Sequence, residues 1–283
     1  MARRLLLNLL LATVVLGLAL FIYIDPDKAT DDNRAAISNI DPDSVTSIRI
    51  TRLQGEPLSF IKRDGQWFIV GETEFRADDF QVGTLLALAR SITDRKYPAQ
   101  TLDLKPMGLL PPLVNISFDD VRFGIGTTEP IDRNRYVMHD TTVYLVPDRF
   151  QHLLNARYTN FIDRRLLPPG AVVTAIELPG LSLQRDSDNH WQLQPDDKTM
   201  DADAIRTLVS SWENARALYV RETSGYQGET LRIFLEGVDE PLEFTLQRDY
   251  KDIILTRPDR GIQYHLAGDA GLKLLEFTAG PGS

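Results

Sequence analysis

Two kinds of hydrophobic order alternate along the chain. In one, every second residue is apolar, the pattern of a strand with one buried face; in the other, apolar residues fall three and four apart and form a stripe along a helix. Val45-Thr46-Ser47-Ile48-Arg49-Ile50 and Val173-Thr174-Ala175-Ile176-Glu177-Leu178 follow the first pattern. Leu58 to Val70 and Leu181 to Gln194 each predict a hairpin, turning at Arg63-Asp64-Gly65 and at Arg185-Asp186-Ser187-Asp188-Asn189. Trp67 or Trp191 stands just beyond each turn and is expected to pack beneath the helix that follows.

Val82, Leu85, Leu86, Ala89 and Ile92 then make a helical stripe, and Ile205, Leu208, Val209, Trp212 and Ala215 repeat it 123 residues later. Asp78 and Asp201 precede the two stripes at the same offset, where a carboxylate accepts the free N–H groups of a helix start. Strand alternation resumes over Leu113–Phe118, Val121–Ile125 and Arg135–Val146, and again over Thr230–Leu235, Leu242–Gln247 and Asp252–Leu266. Short helices are expected at Asp148–Leu154 and Asp269–Leu275, and Leu166-Leu167-Pro168-Pro169-Gly170 should break the chain between the copies.

The expected fold is therefore α+β: an N-terminal single transmembrane helix, then two tandem copies of a β-β-α-β-meander-α unit with mainly antiparallel sheets. The expected segments are 1–24 (transmembrane anchor), 25–42 (acidic tether), 43–167 (first repeat) and 168–283 (second repeat). Two arrangements satisfy this pattern, separate cores or one continuous sheet.

The anchor rests on Leu5 to Ile24, whose only polar members are Asn8 and Thr13. Twenty helical residues span about 30 Å, the thickness of a hydrocarbon core. A cleaved signal peptide has a shorter apolar region and a small-residue cleavage site, so an uncleaved anchor is the favoured reading. Arg3 and Arg4 precede the run and Asp25, Asp27, Asp31 and Asp32 follow it, which predicts a cytoplasmic N-terminus and a periplasmic remainder at the bacterial inner membrane.

A length of 283 residues, 43% of them hydrophobic, is ample for well-filled cores, and the absence of Cys excludes disulfides and a lipid-modified N-terminal Cys. With 31 basic and 40 acidic residues the net charge is −9, a surface that repels nucleic acid.

The candidate chemistry is sparse. His139, His152, His190 and His265 are too widely spaced to form a zinc motif, and His152 and His190 read as surface or rim residues. The Asp186 turn opens like a calcium loop but lacks its later Gly and Glu. Gly124-Ile125-Gly126-Thr127-Thr128 reads as a strand end, and Gly180-Leu181-Ser182 puts its hydroxyl inside a strand. Asp119-Asp120, Asp196-Asp197 and Asp239-Glu240 read as solvated turn acids. Arg133, Arg135 and Tyr136 read as a solvated hairpin tip, and Arg164 and Arg165 as partners of nearby acids. The loop Thr101 to Pro112 is longer than its counterpart, Glu222 to Glu229, and marks a place for a binding surface. No catalytic, cofactor-binding or metal-ligating residue is assigned, and no cofactor is expected.

The order of anchor, a hairpin ending in Gly65-Gln66-Trp67, a capped helix and Lys105-Pro106-Met107-Gly108-Leu109-Leu110-Pro111-Pro112 resembles the bacterial DUF4340 family of uncharacterised membrane-anchored proteins. Phe161-Ile162-Asp163-Arg164-Arg165-Leu166-Leu167 also looks like a feature of that family. The resemblance implies an accessory role beside gliding-type ABC transport components and carries no catalytic signature.

The expected function is thus non-enzymatic: an inner-membrane-anchored periplasmic accessory or interaction subunit. Its expected partners are inner-membrane proteins, ABC transporter subunits among them, with the membrane reached through the N-terminal helix and no nucleic acid. The alternative is a periplasmic module binding a lipid, glycan or peptide in the cleft between the repeats.

Overall fold

The computed structural model describes residues 13–16, 34–195, 201–225, 227–249, 252–266 and 268–275. In chain order its elements begin with β1 (Ala35–Ala36), β2 (Ser47–Arg52), β3 (Leu58–Arg63), β4 (Gln66–Val70), β5 (Phe75–Arg76) and helix α1 (Asp79–Ala89). There follow β6 (Ile92–Thr93), β7 (Lys96–Pro98), β8 (Val114–Phe118), β9 (Val121–Thr128), β10 (Asn134–His139), β11 (Thr142–Pro147) and the single-turn α2 (Gln151–Leu154). The remainder is β12 (Val173–Leu178), β13 (Leu181–Arg185), β14 (Trp191–Gln194), α3 (Ala202–Glu213), β15 (Tyr219–Glu222), β16 (Glu229–Leu235), β17 (Leu242–Asp249), β18 (Asp252–Arg257), β19 (Ile262–Leu266) and α4 (Asp269–Leu272).

This order corrects the expected α+β class. Antiparallel strands dominate, and among the described residues only α1 and α3 exceed two helical turns. The physical reason lies in the length of each pattern: one helical stripe per copy is outnumbered by strands that alternate for five to eight residues at a time. The expected anchor is corrected as well. Among the described residues no helix is long and apolar enough to cross a membrane, so the single-pass span and the inner-membrane, periplasmic location are withdrawn. Of 1–24, only 13–16 are described, as one helical turn, and the rest of that segment lies outside the described residues.

The chain divides into two compact units. The first comprises Met1–Pro57 and Gly83–Leu154. Its strands run in the order β2-β8-β9-β10-β11-β7, with β1 and β6 as a separate pair. Ile48 and Ile50 of β2, Ile116 of β8 and Phe123 of β9 are fully buried, the inward half of each alternation. Asp119 sits at the β8–β9 turn with φ 47°, and its carboxylate accepts the N–H groups of Thr46 and Ser47 and their hydroxyls. Burial alone would raise this carboxyl; the four donors override it and hold it below its ordinary value. The expected solvated acid is a clamp on the start of β2.

The Gly124-Ile125-Gly126 stretch lies inside β9, where the 104–113 loop crosses it. Met107 O accepts Thr127 N at 2.8 Å, and a Cβ at Gly126 would overlap that same carbonyl. Gly126 serves close backbone approach, and Gly124 lies against the Pro112 ring.

The second unit comprises Leu58–Val82 and Asn155–Ser283. It holds the β5-β4-β3 strands and a sheet ordered β14-β13-β12-β16-β17-β18-β19-β15. Phe60 meets Phe161 edge to face, with centroids 5.0 Å apart. Trp212 of α3 packs on Phe244 of β17, and its indole N–H donates to Leu274 O at 2.9 Å. Each such fully buried aromatic stabilises the unit by about 1.5–3 kcal/mol.

Candidate functional site

The site is built by the Phe161–Pro169 stretch of the second unit, which is hydrogen-bonded along both edges. On one edge Asp78 N donates to Phe161 O at 2.6 Å and Asp163 N to Arg76 O at 2.9 Å. On the other, Leu166 N donates to Ala215 O at 3.1 Å and Ala217 N to Arg164 O at 2.8 Å. With its backbone fixed on both sides, the stretch has little freedom in where its side chains go.

Two acids are buried along it, Asp78 at 5% and Asp163 at 8% exposure. Asp78 precedes α1, and its Oδ1 accepts the N–H groups of Phe80 and Gln81 at 3.0 and 3.2 Å. Its Oδ2 lies 3.7 Å from Arg164 Nε and 3.6 Å from Arg216 Nη2. Asp163 Oδ2 lies 3.1 Å from Arg76 Nε and 3.4 Å from Arg165 Nη1. Arg216 Nη2 also approaches Asp163 Oδ1 at 3.9 Å and so links the two acids. Buried carboxylates require such partners, and removing one side leaves an uncompensated charge.

Beside this network lies a recess of about 340 Å³. Phe68, Phe75, Leu166, Leu167, Leu242 and Tyr264 supply its apolar walls, with Pro168 and Pro169 at one side. Arg76, Arg165, Arg257 and Arg260 line it, against two carboxylates, Glu74 and Asp163. Asp259 is gripped by Arg257 through Nε at 2.9 Å and Nη2 at 2.7 Å. Burial pushes the Asp259 carboxyl up, and the Arg257 fork outweighs it and holds the group below its ordinary value. Burial raises the Tyr264 phenol, with the charges of Arg257 and Arg260 working against that rise.

The two recess acids, and Asp259 between the lining residues Arg257 and Arg260, are already engaged within the fold. Glu74 pairs with Arg63, Asp163 with Arg76 and Arg165, and Asp259 with Arg257. The arginines are less fully used. Among the described residues no hydrogen bond occupies Nε or Nη2 of Arg165, Nη1 of Arg257, or Nη2 of Arg260, whose Nη1 donates to Glu74 O at 3.2 Å. The recess therefore combines spare guanidinium donors with apolar walls, an arrangement suited to an anion attached to an apolar group.

Arg164 and Arg165 pair with acids as expected. The Arg133-Arg135-Tyr136 cluster does not form a solvated tip. Arg135 is buried, grips Asp148 through Nε at 2.8 Å and Nη2 at 2.6 Å, and donates to Gly126 O at 2.7 Å. Of the histidines, His152 and His190 are exposed as expected, His139 stacks on Phe123, and His265 is buried against Tyr219. Among the described residues no three of His, Asp and Glu come together in a group that could hold a metal ion. The Asp186 carboxylate accepts Asp188 N and His190 N, both at 2.9 Å, and acts as the brace of a hairpin turn. Of the turn acids, Asp196 and Asp197 lie outside the described residues.

Sequence reasoning missed Arg76, Arg257 and Arg260. The first ends the two-residue strand β5, and the others stand before and at the end of a single 3-10 turn, Pro258–Arg260, so no periodicity marks them. The available signal was the pair of buried-type positions around Asp163, which the Phe161–Leu167 stretch already displayed.

A family model described as a domain of unknown function, DUF4340, matches residues 67–231, more than half of the chain. No curated protein and no solved structure matches it. The matched range contains Asp78, the Phe161–Pro169 stretch and Arg216, and stops before Arg257 and Arg260.

Proposed function

The chain belongs to the DUF4340 family, and from that premise we propose that it is a non-catalytic interaction protein, an accessory subunit that holds a partner through the arginine-lined recess of its second unit. One observation carries this reading. In a chain of net charge −9, four arginines gather around one apolar-walled recess, and three of them, Arg165, Arg257 and Arg260, keep donors to spare. A local charge opposite to that of the whole molecule steers and orients an acidic partner, and apolar walls that exclude water strengthen the contact. The family resemblance supplies the partner class to test first, an ABC transport component.

The test is affinity purification of the full chain at native abundance, with mass spectrometry of what accompanies it. Stoichiometric recovery of ABC transport subunits is expected. The variant Arg260→Glu, at a side chain 42% exposed, should lose them while keeping the thermal midpoint of the parent. Unchanged recovery with the charge-reversed chain would exclude the recess as the contact. The alternative of a lipid, glycan or peptide module gains support only from a small molecule retained in native mass spectrometry without a protein partner, and a volume of about 340 Å³ is compatible with a small ligand.

A further inference from the structure

The recess indicates what the partner presents to it, an extension that rests on the interaction reading above. We infer that it receives a short acidic-apolar segment of a protein: a Glu or Asp side chain flanked by Leu, Ile or Phe. Charge comes first. Glu74, Asp163 and Asp259 are each neutralised by an arginine of the same unit, while Arg165, Arg257 and Arg260 retain free N–H groups. The recess thus has unspent donors, while each of its carboxylates already faces a guanidinium. A guanidinium presents its donors in a plane that matches a carboxylate, whereas a cationic or amide-bearing segment would leave these donors bare.

Walls come second. Phe68, Pro168, Pro169 and Leu242, none of them buried, stand beside the same arginines, so an occupant that reaches the donors also covers apolar surface. A lone acidic side chain would leave those walls wet, and a purely apolar one would desolvate arginines without pairing them. Size is the third constraint. About 340 Å³ lies near the lower end of the range for binding pockets, room for a few side chains.

The test uses the full chain and an array of acetylated pentapeptide amides with a central Glu or Asp flanked by every combination of Leu, Ile and Phe. A matched array carries Gln or Asn at the centre, and both are titrated by fluorescence polarisation. At least one acidic peptide should saturate, with its neutral counterpart about tenfold weaker, the scale of a hydrogen bond to a charged group. Raising salt from about 50 to about 300 mM should weaken it several-fold, because the arginines are partly solvated. Arg260→Gln, at a side chain 42% exposed, should weaken binding without shifting the thermal midpoint. Leu242→Gln should weaken an acidic peptide and its neutral counterpart by a similar factor, since both carry the apolar flanks.

No acidic peptide binding above its neutral partner overturns the inference. Tighter binding of palmitate or of inorganic phosphate than of any peptide also overturns it and reassigns the recess to a lipid acid or a phosphorylated ligand. The two readings fail separately. If charge reversal still abolishes partner capture while the array is silent, the segment chemistry is wrong and the interaction reading stands; if capture survives charge reversal, the recess reading itself falls.

Discussion

The hairpin β3–β4 with the start of α1, and the hairpin β13–β14 with the start of α3, share one local grammar and end in different physical states. Both carry a tryptophan after the turn and an aspartate ahead of the helix. Trp67 is 5% exposed, whereas Trp191 is only half-buried. Asp78 is enclosed and faces Arg164 and Arg216, while Asp201 is exposed and accepts a single backbone bond, from Ala204 N at 2.7 Å. A local code thus decides that a cap forms, and the tertiary surroundings decide what the cap is worth. The first hairpin region has Arg164 and Arg216 beside its cap, and the second keeps its cap in water.

The largest contrast should come from the tryptophans. Trp67→Ala removes a buried aromatic and should cost about 3–5 kcal/mol. Trp191→Ala removes one already in partial contact with water and should cost about 1 kcal/mol. Urea unfolding of both variants checks this, and equal losses would break the comparison by making the two hairpins equivalent.

Next come the caps. Asp201→Ala should cost about 1 kcal/mol, the usual worth of an exposed N-cap. Asp78→Ala loses the cap and the charged contacts as well and should cost about 2–3 kcal/mol, with the share of the half-exposed arginines discounted for solvation. Substitution by Asn separates the two contributions, because Asn caps a helix about as well as Asp. Asp201→Asn should be nearly neutral, whereas Asp78→Asn should retain most of the loss seen in Asp78→Ala. A neutral Asp78→Asn would reduce the ionic network to a surface ornament of the cap.

Much of this contrast was hidden in the sequence, and the reason is the range of the interactions involved. Helix α1 was legible from Val82, Leu85, Leu86 and Ala89, all buried, because an amphipathic period is a local signal. Ile92, placed on the same stripe, lies beyond the helix in β6 and is exposed, since α1 ends at Ala89. Strands β1, β5, β6 and β7 have two or three residues each and show no period to read. Of the site, the Phe161–Leu167 stretch and the pairing of Arg164 and Arg165 were visible. Arg76, Arg257 and Arg260 join it only through the fold, from positions up to 184 residues apart in the chain. Arg135 shows the converse: a basic residue near a turn reads as solvated until Asp148 and Gly126 O are brought against it.

The smallest effect expected separates the two histidines of the second unit. His190 is exposed in the β13–β14 turn, and His265 on β19 is buried, stacked on Tyr219 with centroids 4.5 Å apart. Burial pushes the His265 imidazole below its ordinary pKa; Arg221 acts in the same direction, and Asp252 and Asp249 oppose it. Above the unfolded value of about 6.5 both states hold a neutral ring, and the group adds no pH dependence. Between that value and the lower native one, the unfolded chain binds a proton that the native unit does not, so stability falls as pH drops through 6.5 and levels off below the native value. Unfolding free energies measured at about pH 7.5 and pH 5.5 should therefore differ less in His265→Phe, which keeps an aromatic ring against Tyr219, than in the parent. His190→Ala, at an exposed side chain in the turn, should leave the parental difference intact. An undiminished slope in His265→Phe would move the proton uptake to another group and leave burial without consequence for this pair.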